Sequence, residues 1–176
     1  LSSVSAIQSS TMINQLNRGL AAAIVMVIFL IGIAFRSSEV ALLSIVPNLL
    51  PIAAAGAMLY LNGLGLEYAS VIGLTVAFGL AVDDSIHFLN RLHIERSRTN
   101  SQTEAVYKTL THIGPVLILT TMVLVCGLAV TILSELPSMR QFGSLAMTTL
   151  IAAVLADLFI LPAIILSTCR EKLRKS

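Results

Sequence analysis

Asp83 and Asp84 stand side by side in residues 73–91, GLTVAFGLAVDDSIHFLNR, a run otherwise apolar enough to cross a bilayer. A charged side chain at mid-membrane costs at least ~2.5–3.5 kcal/mol on insertion scales, so an intramembrane carboxylate marks a functional site by default. Two in succession repel each other, and a carboxyl that can be neutral or charged inside a membrane is what a proton-coupled machine requires. Gly79 lies four residues before Asp83, one turn along the same face. Its missing side chain lets a neighbouring helix or a file of water approach the carboxylate. His87 lies four residues after Asp83 and three after Asp84, so the three can share a helix face. Adjacent carboxyls point about 100° apart on a helix. This predicts unequal roles, with Asp83 the more exchangeable group and Asp84 its electrostatic neighbour. A competing reading places the pair at the cytoplasmic end of the helix, merely solvated, with Arg91 at the interface. His87 fits a satisfied, non-catalytic histidine as well as a relay member.

Other polar residues interrupt apolar runs. Thr120 and Thr121 fall at mid-depth of a later run, where their hydroxyls can bond a carboxyl on a neighbouring helix or their own helix backbone. Asp157, in ADLFILPA, is a third intramembrane carboxylate, about one turn before Pro162. It is expected to face protein rather than lipid, as a helix-packing polar group or, as a secondary polar site, a proton site. Pro47 and Pro51 fall inside one run with Asn48 between them. Proline removes a helix hydrogen bond, and Asn48 can satisfy backbone groups so freed. His87, His93 and His112 show no metal-ligand spacing, and no serine or cysteine sits in a nucleophile context, so neither a metal nor an enzymatic activity is expected. Cys126 and Cys169 read as packing residues.

The elements that must position these groups are membrane helices. The chain has 176 residues, of which 56% are hydrophobic and 11% charged. That composition excludes an ordinary soluble domain. With a net charge of +2 and the basic residues in loops, nucleic acid is not an expected partner. Hydropathy predicts an all-α polytopic bundle of five spans, at residues 19–35, 40–61, 69–90, 114–133 and 141–167, within a membrane domain of residues 18–168. Residues 1–17 are a polar, Ser-rich lead-in, and residues 169–176 a basic tail. The chain opens on Leu1 with neither an initiator methionine nor a signal peptide, which predicts a piece of a longer protein. The loop over residues 91–113 carries Ser101 and Glu104 at capping-box spacing and Val106, Leu110 and Ile113 at helical spacing. This predicts a short amphipathic helix on the membrane surface. Nine of the eleven basic residues fall on the side of this loop and the tail, and Arg18 and Arg140 on the other. The positive-inside rule therefore makes the loop and the C-terminus cytoplasmic.

Three stretches, FRSSEVALLSIVPNLLPI, GLAVDDSIHFLNRL and THIGPVLILTTMVLVCGLAVTILSELPSMRQFGSLAMTTLIAAVLADLFILPAIIL, follow one another in this order. Together they resemble the C-terminal half of a resistance–nodulation–division (RND) superfamily exporter, on the branch of MMPL-like and hopanoid or lipid exporters. The likeness covers about residues 17–166. It implies two repeats of six spans, each with a large extracytoplasmic domain after its first span. The five spans here correspond to spans eight to twelve, and residues 1–17 to the end of the second extracytoplasmic domain. The same fold carries sterol-sensing function in relatives such as Patched and Dispatched.

The resemblance further implies that Asp83 and Asp84 carry proton coupling, with Thr120 and Thr121 on the next helix facing them. The lysine that large drug pumps of the superfamily place on a neighbouring span has no counterpart in any span here. The function expected is part of a proton-motive-force-driven exporter of lipidic or hydrophobic molecules in a bacterial inner membrane. Protons would be the coupling ion, with no other cofactor, and the partners would be membrane lipids, the substrate and the remaining half of the transporter. The rival expectation is a sterol- or lipid-sensing membrane module without transport of its own.

Overall fold

The computed structural model describes residues 45–65, 68–99 and 101–167, together with positions 18, 19, 22, 25, 26 and 29. Residues 1–17, most of the span expected at 19–35, the start of the one expected at 40–61 and the tail at 169–176 lie outside the described residues. The described positions between 18 and 29 are helical and exposed.

Four helices account for nearly everything else. Helix α1 is Ile45–Leu61, α2 is Tyr68–Arg98, α3 is Gln102–Ala129 and α4 is Pro137–Leu155. A 3₁₀ turn, Val130–Leu133, extends α3. A π turn, Ala156–Ile160, follows α4, after which the chain is helical again to Ser167. Among the described residues, three stretches are long and apolar enough to cross a membrane, at Ser70–Arg98, Gln102–Leu133 and Pro137–Ser167, and α1 is a shorter apolar helix. The protein is a multi-pass integral membrane protein.

The chain alternates direction. Asn48 at the start of α1 reaches Ser85 late in α2, while Ala55 and Leu59 meet Leu74 early in α2, so α1 and α2 are antiparallel. Leu74 packs near Leu145, Ser85 meets Asp157, and Phe88 packs near Leu161. Helices α2 and α4 therefore run parallel, in steady register. Helix α4 touches all three others and is the hub of the bundle.

The ends follow from local chemistry. Gly63, at φ 63°, stops α1. The Leu64 N–H donates to Leu59 O and the Gly63 N–H to Tyr60 O, the Schellman pattern that a left-handed glycine permits. The Gln141 amide donates to Gly65 O at 2.8 Å. This ties the α1–α2 turn to the start of α4, so both turns lie at one end of the bundle. There Gly73 and Gly143 allow close approach. A Cβ at residue 73 would come within 2.9 Å of the Phe142 ring. Small residues at such crossings let membrane helices pack without a hydrophobic driving force.

Residues 91–113 differ from the loop and separate surface helix expected there. Helix α2 continues to Arg98, and α3 begins at Gln102 and runs through Pro115 into the membrane segment without a break. Proline inside a helix costs about 3 kcal/mol. Packing offsets it: Ala105, Val106 and Leu117 bury against Phe88, Leu89 and Leu92 of α2 and Leu161 and Ile165 beyond α4. Val106 thus faces protein rather than a lipid surface. Ser101 occupies the N-cap with extended backbone, but its side chain makes no capping bond. Glu104 pairs with Lys108 instead, at 2.7 Å. Glu95 is buried nearby and holds Arg91 at 2.6 Å.

Candidate functional site

Helix α2 has two unlike faces. Leu74, Ala77, Phe78, Ala81, Val82, Ser85, Phe88 and Leu89 are buried. Thr75, Gly79, Asp83 and His87 recur every fourth residue on an exposed stripe. The spacing that predicted a shared face for Gly79, Asp83 and His87 is therefore realised. Asp83 Oδ2 lies 3.8 Å from His87 Nε2, and both side chains are 66% exposed. Open space lies beside Gly79: among the described residues nothing packs within 4 Å of where a Cβ would stand.

Asp84, one residue on, turns toward α3 and is half-buried. It lies within electrostatic reach of Asp83 and His87. Asp83, Asp84 and His87 together line a cleft of about 530 Å³ between α2 and α3. The opposing wall is Ile113, Val116, Leu117, Leu119, Thr120, Val123 and Leu124. Two carboxyls and an imidazole in an apolar-walled cleft can bind and release protons, and the aliphatic wall offers a lipid chain nothing but dispersion contacts.

The threonine pair divides. Thr120 faces the cleft, but its hydroxyl donates back to Val116 O at 3.0 Å and Leu117 O at 3.1 Å. Of the two partners considered for that hydroxyl, its own backbone wins. Thr121 is buried on the other side of α3 and lines an apolar groove of about 440 Å³ between α3 and α4, with Met122, Val125, Cys126, Val154 and Phe159 among its walls.

Asp157 sits in a different place from the pair. It is 1% exposed, on the π turn after α4. Pro162 explains that turn: it has no N–H for the carbonyl of Leu158, and its ring crowds that carbonyl in a regular helix. Widening the preceding turn relieves the crowding, and π turns recur at functional sites. Ser85 Oγ donates to Asp157 Oδ1 at 2.7 Å and lies 3.3 Å from Asn48 Oδ1. Asp157 thus faces protein, as expected, within a buried polar node that joins α1, α2 and the turn after α4. Asn48 reaches across to α2 rather than serving only its own helix. Ser85 escaped the sequence reading. Its signal was a hydroxyl inside the apolar face formed by Ala81, Val82, Phe88 and Leu89.

Among the described residues no group of three or more His, Cys, Asp or Glu is arranged to hold a metal ion. Cys126 is a free, exposed thiol.

No curated protein matches the chain. The MMPL family model matches residues 5–176, which takes in all four helices, the carboxylate cleft and the buried node. With nearly its whole length matched, and with apolar membrane helices packed around an acidic cleft, this chain belongs to the MMPL family.

Proposed function

We infer that this chain is part of a proton-driven exporter of lipidic or hydrophobic molecules, acting in a bacterial inner membrane. Asp83 and Asp84 exchange protons, and the change in their charge alters how α2 packs against its neighbours. Protons serve as the coupling ion, with neither an enzymatic step nor a further cofactor. The cytoplasmic end is the one holding the α2–α3 hairpin, where Arg91, Arg96, Arg98 and Lys108 cluster. The remaining half of the transporter supplies the surface that meets the exposed stripe Thr75–Gly79–Asp83–His87.

One observation carries this reading. Asp83, Asp84 and His87 meet in a single cleft whose other wall is aliphatic apart from Thr120, on a helix long and apolar enough to cross a membrane. Ionisable groups so placed in a membrane bundle belong to ion or substrate pathways. Substrate export from vesicles carrying the full-length protein, driven by an imposed pH gradient, tests it. Asp83→Asn and Asp84→Asn keep size and polarity but cannot exchange a proton. Each is expected to abolish gradient-driven export while leaving the protein folded. Export at the wild-type rate by both variants would refute the relay.

A second reading, a lipid-sensing module without transport, is favoured by the groove between α3 and α4, which is lined by almost purely apolar surface and has no titrating group beyond the Cys126 thiol. Saturable lipid binding that ignores pH would support it over the exporter.

A further inference from the structure

Asp157 and its partners stand apart from the Asp83–Asp84 cleft. Its Oδ1 accepts from Ser85, and its Oδ2 is fully buried with no hydrogen-bond partner among the described residues. An ionised carboxylate with one oxygen orphaned in a membrane interior is costly by several kcal/mol. Something must therefore meet Oδ2 for at least part of the working cycle.

The surroundings narrow the choice. From α1 the facing group is Asn48, and that helix brings no acid or base to the node; its Tyr60 is exposed at the far end. From α2 the groups are Ser85 and the carboxylate of Asp84, whose charge reaches Asp157, with Asp83 and His87 beyond it on the cleft side. Helix α3 faces this turn with Gly114 and Leu117 and, across the α3–α4 groove, with the Thr121 hydroxyl and the Cys126 thiol; it brings no charged side chain there. No cationic side chain among the described residues is placed to pair with Asp157. A hard metal cation takes about six to eight oxygens. The side chains of the node supply four oxygens, on Asn48, Ser85 and Asp157, and two of these are already joined by a short hydrogen bond. A proton needs a single oxygen.

We propose that Asp157 is a second, buried proton-binding site, taking up a proton at Oδ2 while Ser85 holds Oδ1. An O–H bond forms at Oδ2 with a proton drawn from water, and the same proton returns to water on release; no other bond changes. Ser85 adjoins Asp84 on α2, so the site shares a rigid helix with the cleft. The π turn gives it a backbone able to shift. The inference rests on the proton-coupled reading for its part in transport, but proton binding itself is separately measurable.

The experiment is pH-induced infrared difference spectroscopy of the full-length protein in lipid vesicles. It follows the protonated-carboxyl C=O bands of wild type, Asp157→Asn, Ser85→Ala, Asp83→Asn and Asp84→Asn. Asp157→Asn is expected to delete one band that Asp83→Asn and Asp84→Asn leave in place. Ser85→Ala is expected to shift that same band, because the bond to Oδ1 is lost while the carboxyl remains. A wild-type set of bands in Asp157→Asn would overturn the inference, as would an unshifted spectrum in Ser85→Ala, which also decides the matter if Asp157→Asn fails to fold. A band that answers to sodium rather than to pH would overturn it too. If Asp83→Asn and Asp84→Asn export normally while the Asp157 band behaves as expected, the relay reading fails and this inference stands. If those two are inactive and Asp157→Asn keeps every band, the reverse holds.

Discussion

Gly143→Ala is the most direct test of how this bundle is held. Gly143 lies on α4 where it crosses the 3₁₀ turn after α3. A Cβ there would fall on the Thr131 hydroxyl, 3.0 Å from Thr131 Cβ and 3.2 Å from Leu128 O. That hydroxyl donates to Leu128 O at 2.6 Å, so it has little room to move aside without giving up its bond. Losing the bond costs about 0.5–1.5 kcal/mol. Overpacking against the hydroxyl oxygen itself costs about 1–3 kcal/mol. Alanine returns up to about 1 kcal/mol in helix propensity. The net expectation is a destabilisation of about 2 kcal/mol.

The assay is reversible unfolding in mixed micelles, run as a double-mutant cycle with Thr131→Ala. Removing the hydroxyl leaves only contacts that can relax by a few tenths of an ångström. The double mutant is then expected within about 0.5 kcal/mol of Thr131→Ala alone, a coupling of about 1.5–2 kcal/mol of the kind direct neighbours show. If Gly143→Ala costs nothing, or costs the same with and without Thr131, the close approach at this crossing is refuted.

Three further outcomes follow from other contacts. Arg91→Leu leaves the buried Glu95 carboxylate without the partner it holds at 2.6 Å. Unfolding in the same micelles is expected to show a loss of about 2–4 kcal/mol, below the usual upper range for a buried pair because Arg91 is partly exposed, and Glu95→Gln is expected to cost less. At Gly79 a Cβ would have no packing neighbour within 4 Å among the described residues, so Gly79→Leu starts into open space. It is expected to stay within about 0.5 kcal/mol of wild-type stability, as exposed substitutions do, while vesicle export falls because the stripe beside Asp83 is blocked. Pro162→Ala restores an N–H for the Leu158 carbonyl and removes the reason for the π turn. Asp157 then turns away from Ser85, and the infrared band assigned to Asp157 is expected to shift as it does in Ser85→Ala; an unmoved band would separate the proline from the node.

Hydropathy located α2 and the membrane parts of α3 and α4, because long apolar runs are the strongest signal a membrane chain carries. It misjudged residues 91–113, because polar residues outside the bilayer look like loop to a hydropathy window. The helices do not stop there. Ala105 and Val106 find Phe88 and Leu92 across a tight hairpin, and that packing carries the helical backbone past the membrane. The acidic pair and its histidine were legible, since i, i+4 spacing within one helix is a local property. The link from Asp157 to Ser85 was not. It joins residues 72 apart and depends on α2 and α4 running parallel, which no local pattern encodes. Pro162, by contrast, did mark the turn that bears Asp157.

Asp83, Asp84 and Ser85 occupy three consecutive positions in unlike surroundings: Asp83 lines the cleft from the exposed stripe, Asp84 is half-buried in the cleft against α3, and Ser85 lies in the node with Asn48 and Asp157. Steps of about 100° along a helix make this unavoidable. It follows that α2 cannot rotate to relieve a charge on one without disturbing the other two. At the opposite end, the approach of Phe142 to Gly73 and the Gln141–Gly65 bond hold the same helix against α4. On the proton-coupled reading, a change of charge at the pair is therefore expected to act most where Ser85 meets Asp157, and least at the turns. The π turn lies on that side of the contact, and a regular helix broken by one widened turn yields there before it yields elsewhere. On the proton-coupled reading, the segment from Ala156 to Pro162 is therefore where this bundle is expected to move, and Ser85, rather than either of the two aspartates, is the group on α2 that touches it.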